Sequence, residues 1–345
     1  MAAIDPITRA IAALAERRNL TASLAAEAFA QVMAGEATAA TMAALLMGLR
    51  VKGETAEEIQ GAALALRGAM VRVAVPAGPP PVDTCGTGGG STGTFNISTA
   101  AAFVAAGAGA RVVKHGNRSF TSRSGSADVL EALGVDIQLS PERAAAQLAG
   151  CGMTFLFAPL FHPAMRHVGP VRRELALSTI MNLLGPLANP AGVGRQVIGV
   201  GDPQRASLLA ESLALLGAEH ALVVHAGAGL DEIAPPGMGP TDIVEVRAGT
   251  VSRWSLDPGA FAIAAGDAAA LAGGLPVDNA AIIQRILDGV DRTVRRSAVV
   301  LNAAAALVVA GIGDSWDDAA RRAGAAIDSG AARTVLERLR AERVG

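Results

Sequence analysis

The chain contains no tyrosine among its 345 residues, and aromatic residues make up only 3% of it. A tyrosine acid and a tyrosine-based stacking platform are therefore excluded. Its two cysteines, Cys85 and Cys151, stand far apart with no CxxC pair around them. That excludes a disulfide framework and leaves two reduced core thiols. Neither sign of charge dominates: the net charge is −2 and no block of like charges occurs. Binding of nucleic acid through counterion release has no support in such a balance. Long apolar runs are also missing. The most apolar stretch, residues 297–313 (SAVVLNAAAALVVAGIG), is short for a membrane span and carries Asn302, so it predicts a buried helix. The amino-terminal stretch has charges among its apolar positions and no cleavage signature. The expectation is a soluble, cytoplasmic protein.

Small residues and punctuation are abundant instead. Residues 5–72 read as consecutive helices. Gly35 suits a position just past a helix end, Thr38 can cap the next helix, and that helix stops at Gly53. Thr55 with Glu58 forms a capping box. The proline-rich link PAGPPP (76–81) breaks the pattern. We take 1–75 as a small all-helical domain and 82–345 as a large α/β domain. From Val82 short apolar strands alternate with alanine-rich helices: VDTCG, ARVVKHG, VDIQL, TFLFAP, QVIGVG and ALVVHAG are the strand candidates. Such alternation predicts a mostly parallel central sheet flanked by helices. Residues 164–184 and 316–342 read as helical.

Two motifs carry chemistry. Residues 86–99, GTGGGSTGTFNIST, form a glycine-rich turn after a strand, followed by hydroxyls and an amide at a helix start. Glycines let main chain approach a phosphate closely, and a helix amino terminus favours anions. Residues 114–118, KHGNR, gather Lys114, His115, Asn117 and Arg118 at a second strand end. Together they describe a pocket for a polyphosphate or phosphosugar. Asp231 and Glu232 follow the strand ALVVHAG, and adjacent carboxylates suit a hard cation. His162 and His167 lack partners at metal-ligand spacing and read as structural or pocket-lining.

GTGG with TFNIST and KHGNR, followed in order by HPAMRHVGPVRREL (162–175), NLLGPLANPAG (182–192) and GLDEI (229–233), resembles the anthranilate phosphoribosyltransferases over nearly the whole chain. The resemblance implies a nucleoside phosphorylase/phosphoribosyltransferase-like fold in which 164–184 join the helical domain. It also implies transfer of the phosphoribosyl group of phosphoribosyl pyrophosphate to anthranilate in tryptophan biosynthesis, and a homodimer formed through the helical domain. Gly86, Thr87, Gly88, Gly89, Gly90, Thr94, Asn96, Ile97, Ser98 and Thr99 would hold the pyrophosphate and ribose. Lys114, His115, Gly116, Asn117, Arg118, Ser119, Phe120, Thr121, Ser122 and Ser126 would line the same site. Gly86 and Asn117 would also touch anthranilate, Arg172 would bind its carboxylate, and Ser98, Asp231 and Glu232 would hold Mg2+. No residue is assigned as a general base. The chain departs from the family pattern at Gly90, where aspartate is usual, at Ala176, where glycine is commoner, and at Met181, where an aromatic is commoner. Two other readings stay open at this point: transfer to another aromatic acid or a related nucleoside phosphorylase, and a non-catalytic homologue that binds nucleic acid.

Overall fold

The amino-terminal quarter folds as its caps direct. In the computed structural model, which describes residues 5–87, 93–119, 123–227 and 229–342, it holds α1 (Pro6–Ala15), α2 (Ala22–Ala34), α3 (Ala39–Lys52) and α4 (Ala56–Gly68). Gly35 closes α2 in a left-handed conformation, and Thr38 Oγ1 accepts the Thr41 N–H at 3.2 Å to open α3. The Thr55–Glu58 box opens α4: the Glu58 N–H donates to Thr55 Oγ1, and the Thr55 N–H donates to Glu58 Oε2. Glu58 is fully buried. It also accepts the Leu20 N–H at 2.8 Å and pairs with Lys52 Nζ at 3.0 Å, so its charge is fully engaged.

The remainder builds one seven-stranded sheet. Along the chain run β1 (Val82–Gly86), α5 (Ile97–Gly107), β2 (Val112–Gly116), α6 (Ser126–Ala132), α7 (Pro141–Cys151), β3 (Met153–Phe157) and α8 (Ala158–Phe161). Next come α9 (Met165–Leu175), α10 (Met181–Leu187), β4 (Arg195–Gly199), α11 (Gln204–Leu215), β5 (His220–Ala226), β6 (Thr241–Arg247) and β7 (Thr250–Leu256). Last are α12 (Pro276–Leu287), α13 (Val294–Ala310), α14 (Trp316–Asp328) and α15 (Ala331–Ala341). The strand order is β3-β2-β1-β4-β5-β6-β7. The first five strands pair in parallel, whereas β6 and β7 are antiparallel. Ala248 and Gly249, both at positive φ, join β6 to β7 in a two-residue hairpin.

The predicted strand VDIQL is not one. Val135, Ile137 and Leu139 are buried, but the segment pairs with no strand among the described residues, and Gln138 N–H turns to Asp136 Oδ1 at 2.8 Å. Strand-like alternation here reflects packing of one side against neighbouring elements. The expected apolar helix is α13, buried nearly all round against α5 and the sheet. On the sheet's other face a second core runs from Ile198 and Val223 through α11 into α1–α4, α9 and α10. The amino-terminal helices therefore pack as one body with 165–187 and the sheet.

Candidate active site

Chain progression reverses between β1 and β4, so a crevice opens beyond their carboxyl ends. β1 ends at Gly86 and β4 at Gly199, paired in register, and the Thr87 N–H donates to the Gly199 carbonyl at 2.9 Å. The segment after β5 comes back across these ends and delivers Asp231 and Glu232. It lies so close that a Cβ on Gly199 would overlap the Asp231 carbonyl oxygen. One on Gly86 would stand 3.3 Å from both Asp231 Oδ2 and the Gly199 carbonyl. Both strands end in glycine because an acidic loop rests on them.

Ser98, Asp231 and Glu232 line one small cavity with Thr84, Gly199 and Asn302. Glu232 Oε1 accepts Thr94 Oγ1 at 3.0 Å, while Glu232 Oε2 is buried and makes no hydrogen bond among the described residues. Burial raises the pKa of Asp231, and burial followed by the neighbouring Asp231 charge holds Glu232 well above the usual carboxylate range. No lysine or arginine pairs with either carboxylate among the described residues. Two buried acids, an orphaned oxygen and a hydroxyl in one cavity form a donor set that fits a hard divalent cation.

α5 begins beside this cavity. Its cap residue Asn96 is held from two sides: Oδ1 accepts Ser124 Oγ at 3.2 Å and Asn279 Nδ2 at 2.9 Å, and Nδ2 donates to the Ser124 carbonyl at 3.1 Å. Thr84 Oγ1 donates to the Ser98 carbonyl at 3.0 Å. Ile97 and Thr99 are buried, so contact with a ligand there is left to main chain. Lys114 is only 2% exposed. Its Nζ donates to the Thr84 carbonyl and, at 3.3 Å, to Ser98 Oγ, and burial lowers its pKa. The lysine sits beneath the start of α5 and braces the serine.

At the second motif His115 caps a buried polar cluster. Its Nδ1 lies 3.2 Å from the Gly185 carbonyl, which can only accept, so the proton is on Nδ1. Its ring stands 5.0 Å from that of His162. His115 Nε2 and both nitrogens of His162 make no hydrogen bond among the described residues. Burial, reinforced by His162, lowers the His115 pKa to about 3, and burial lowers that of His162 to about 4. Beneath them Asp83 is fully buried, accepting Asn189 Nδ2 at 2.9 Å and the His115 N–H at 3.3 Å. Burial raises Asp83 to about 6 against the opposing charge of Lys114.

Gly116 ends β2, where Ser126 and Phe155 leave no room for a side chain. The Asn117 carbonyl accepts the Ala127 N–H and Ser126 Oγ. Arg118 is not free: its guanidinium is shared between Asp128 and Glu131. The Ser119 N–H donates to Asp128 Oδ2 at 3.1 Å. Arg172, in the last turn of α9, differs. It is half-buried, burial lowers its pKa, and no carboxylate pairs with it among the described residues. The helix then stops at Ala176 in a left-handed conformation (φ 50°), unusual for a residue other than glycine. Gly88, Gly89, Gly90, Phe120, Thr121 and Ser122 lie outside the described residues.

Sequence reasoning did not single out Gly199, Asp83, Asn189 or Asn279. Signals existed for the first two, a glycine ending a strand and an acid inside an apolar strand. Asn279 carried none, because its partner Asn96 is 183 positions away.

Residues 8–70 match the helical bundle domain of the glycosyl transferase family, and residues 78–333 match its a/b domain. That defines the class: a glycosyl transferase with a helical bundle joined to an α/β sheet domain. The chain is 49% identical to the anthranilate phosphoribosyltransferase of Roseiflexus castenholzii over 97% of both chains. It is 50% identical to that of Thermomicrobium roseum, over 92% of this chain and 91% of the other. Among solved structures, anthranilate phosphoribosyltransferase from Thermus thermophilus superposes with a TM-score of 0.90 at 41% identity, covering 98% of this chain and 99% of that one. The enzyme from Saccharomyces cerevisiae in complex with PRPP and Mg gives a TM-score of 0.87 at 27% identity, covering 98% and 97%. The chain belongs to the anthranilate phosphoribosyltransferase family.

Proposed function

We propose that this chain transfers the phosphoribosyl group of phosphoribosyl pyrophosphate to the amine of anthranilate and releases pyrophosphate. The observation that carries the reading is the buried acid pair Asp231–Glu232, with no paired cation among the described residues, sharing a cavity with Ser98 at the sheet's switch point. Ser98, Asp231 and Glu232 would hold Mg2+, which when bound offsets the charge of the pyrophosphate leaving group. The start of α5 presents main-chain N–H groups and a favourable dipole to the same anion. Asn96, fixed by Ser124 and Asn279, keeps that start in place. In the reaction the anthranilate nitrogen bonds to C1 of the ribose while the C1–O bond breaks. Pyrophosphate takes the electron pair, and the nitrogen sheds one proton. The aromatic amine is already neutral at pH 7, so no strong base is required, and positioning supplies much of the rate. Lys114 and Arg118 would line the phosphoribosyl pyrophosphate site; Lys114 also braces Ser98, and Arg118 also ties the 118–131 turn through Asp128 and Glu131.

Arg172 is read as the partner of the anthranilate carboxylate, a bidentate match for its planar fork. Arg172→Ala is expected to raise the KM for anthranilate roughly 10- to 100-fold, from a lost charge-assisted contact of about 1.5–3 kcal/mol. The KM for phosphoribosyl pyrophosphate should stay within about twofold. Steady-state kinetics with each substrate varied in turn check this, and an unchanged anthranilate KM sinks the assignment.

We further propose a homodimer through the helical domain. Ala40, Ala44 and Val51 are exposed on one face of α3, with Val51 72% accessible. Small side chains there permit close helix approach. Light scattering at micromolar concentration should give about twice the chain mass of 34.6 kDa; a monomer contradicts the proposal.

A further inference from the structure

α13 carries one side-chain amide in an otherwise apolar wall. Asn302 is 5% exposed, and Leu301, Ala303, Ala304, Ala305 and Ala306 beside it are fully buried. Desolvating an amide there costs about 1–3 kcal/mol unless its hydrogen bonds are met. They are met on the acidic loop. Asn302 Oδ1 accepts the Ile233 N–H at 3.1 Å, and Nδ2 donates to the Ile233 carbonyl at 3.0 Å and to the Ala298 carbonyl at 2.9 Å. The amide thus brackets both polar groups of the residue that follows Glu232. Asn302 also lines the small cavity that Ser98, Asp231 and Glu232 share.

We propose that Asn302 is a positioning residue for the reaction: its bracket on Ile233 fixes the main chain from which Asp231 and Glu232 reach the divalent cation. This rests on the reading of that pair given above. The chemistry needs this residue type. Only a carboxamide offers an acceptor and a donor at the spacing of a peptide N–H and C=O. Aspartate lacks the donor, and leucine of similar size lacks both. The loop is anchored further by the Ala226 N–H to the Leu230 carbonyl at 3.0 Å, the Ala234 N–H to Thr241 Oγ1 at 2.9 Å and Thr94 Oγ1 to Glu232 Oε1 at 3.0 Å. The bracket is the anchor that stands between the acid pair and the helix wall. Without it the carboxylates keep their chemistry and lose their aim.

The test is a Mn2+ titration followed by the electron paramagnetic resonance signal of free Mn2+, for the wild-type protein, Asn302→Leu and Asn302→Ser, each at one fixed concentration of inorganic pyrophosphate and read against a protein-free titration in the same pyrophosphate. The serine variant is small enough to fold if the leucine variant does not. Loss of the bracket is expected to weaken Mn2+ binding at least about tenfold, the range typical of groups that orient metal ligands. The KM for anthranilate should stay within about twofold, and circular dichroism should report a folded chain. Variants that melt at lower temperature and bind Mn2+ as the wild type does would overturn the inference, leaving Asn302 a structural amide. A wild type that binds no Mn2+ beside pyrophosphate would instead overturn the reading of the acid pair, and the inference with it.

Discussion

Gly199→Ala is expected to lower kcat/KM by roughly 100-fold or more while leaving a folded protein. The residue ends β4, and any Cβ there occupies the space of the Asp231 carbonyl oxygen, with the Asp231 Cβ at 3.3 Å beyond it. The obstruction is main chain, so no rotamer change relieves it. The loop cannot simply lift, because Leu230, Ile233 and Ala234 are each tied down by hydrogen bonds. Asp231 and Glu232 must therefore move together. A site that loses its preorganised electrostatics loses roughly 2.7–4 kcal/mol of transition-state stabilisation, whereas overpacking at one strand end costs about 1–3 kcal/mol of stability. Steady-state kinetics with a thermal melt separate the two effects. A variant within about threefold of wild type would show that the acid pair does not act from this loop.

The second large effect concerns acid. His115 and His162 are buried neutral, with pKa values lowered to about 3 and about 4. In the unfolded chain each titrates near 6.5. Well above pH 6.5 neither binds a proton in either state. Below it the unfolded chain takes up protons that the folded one refuses. Each imidazole then withdraws about 1.4 kcal/mol of stability per pH unit as the pH falls from 6.5 toward its folded value. Buried Asp83, raised to about 6 by burial, and the raised Asp231 and Glu232 act in the opposite sense. The comparison that isolates the histidines is thus variant against wild type. In urea unfolding, His115→Gln/His162→Gln should gain about 3 kcal/mol on the wild type between pH 6.5 and 5.0, whatever its offset at neutral pH. A constant difference across that range contradicts the burial of neutral imidazoles.

The caps were the most legible feature of the sequence, because capping is local: Gly35, Thr38 and the Thr55–Glu58 box act within four residues of where they stand. Five parallel strands were legible for a related reason, as each is an apolar run closed by glycine or a helix start. β6 and β7 went unread: β7 exposes most of its residues and lacks the apolar signature. VDIQL misled because burial of alternate residues does not require a strand partner. At the site, segments were legible and side-chain destinations were not. Lys114 reads from the sequence as a phosphate-site cation, but its contacts were not legible: on a strand covered on both faces every side chain goes inward, and it also braces Ser98. Nor did the sequence show that the fold brings Asp128 and Glu131 to Arg118. The contacts of Gly199 with Asp231 and of Asn302 with Ile233 span 32 and 69 positions, distances at which no local pattern speaks.

The most direct test of phosphoribosyl transfer is the fluorescence of anthranilate followed in phosphoribosyl pyrophosphate and Mg2+, with released pyrophosphate measured in parallel. The account predicts loss of anthranilate fluorescence at catalytic enzyme, one pyrophosphate formed per anthranilate consumed, and no turnover when the metal is chelated. Anthranilate left unconsumed by folded, metal-replete protein would contradict it.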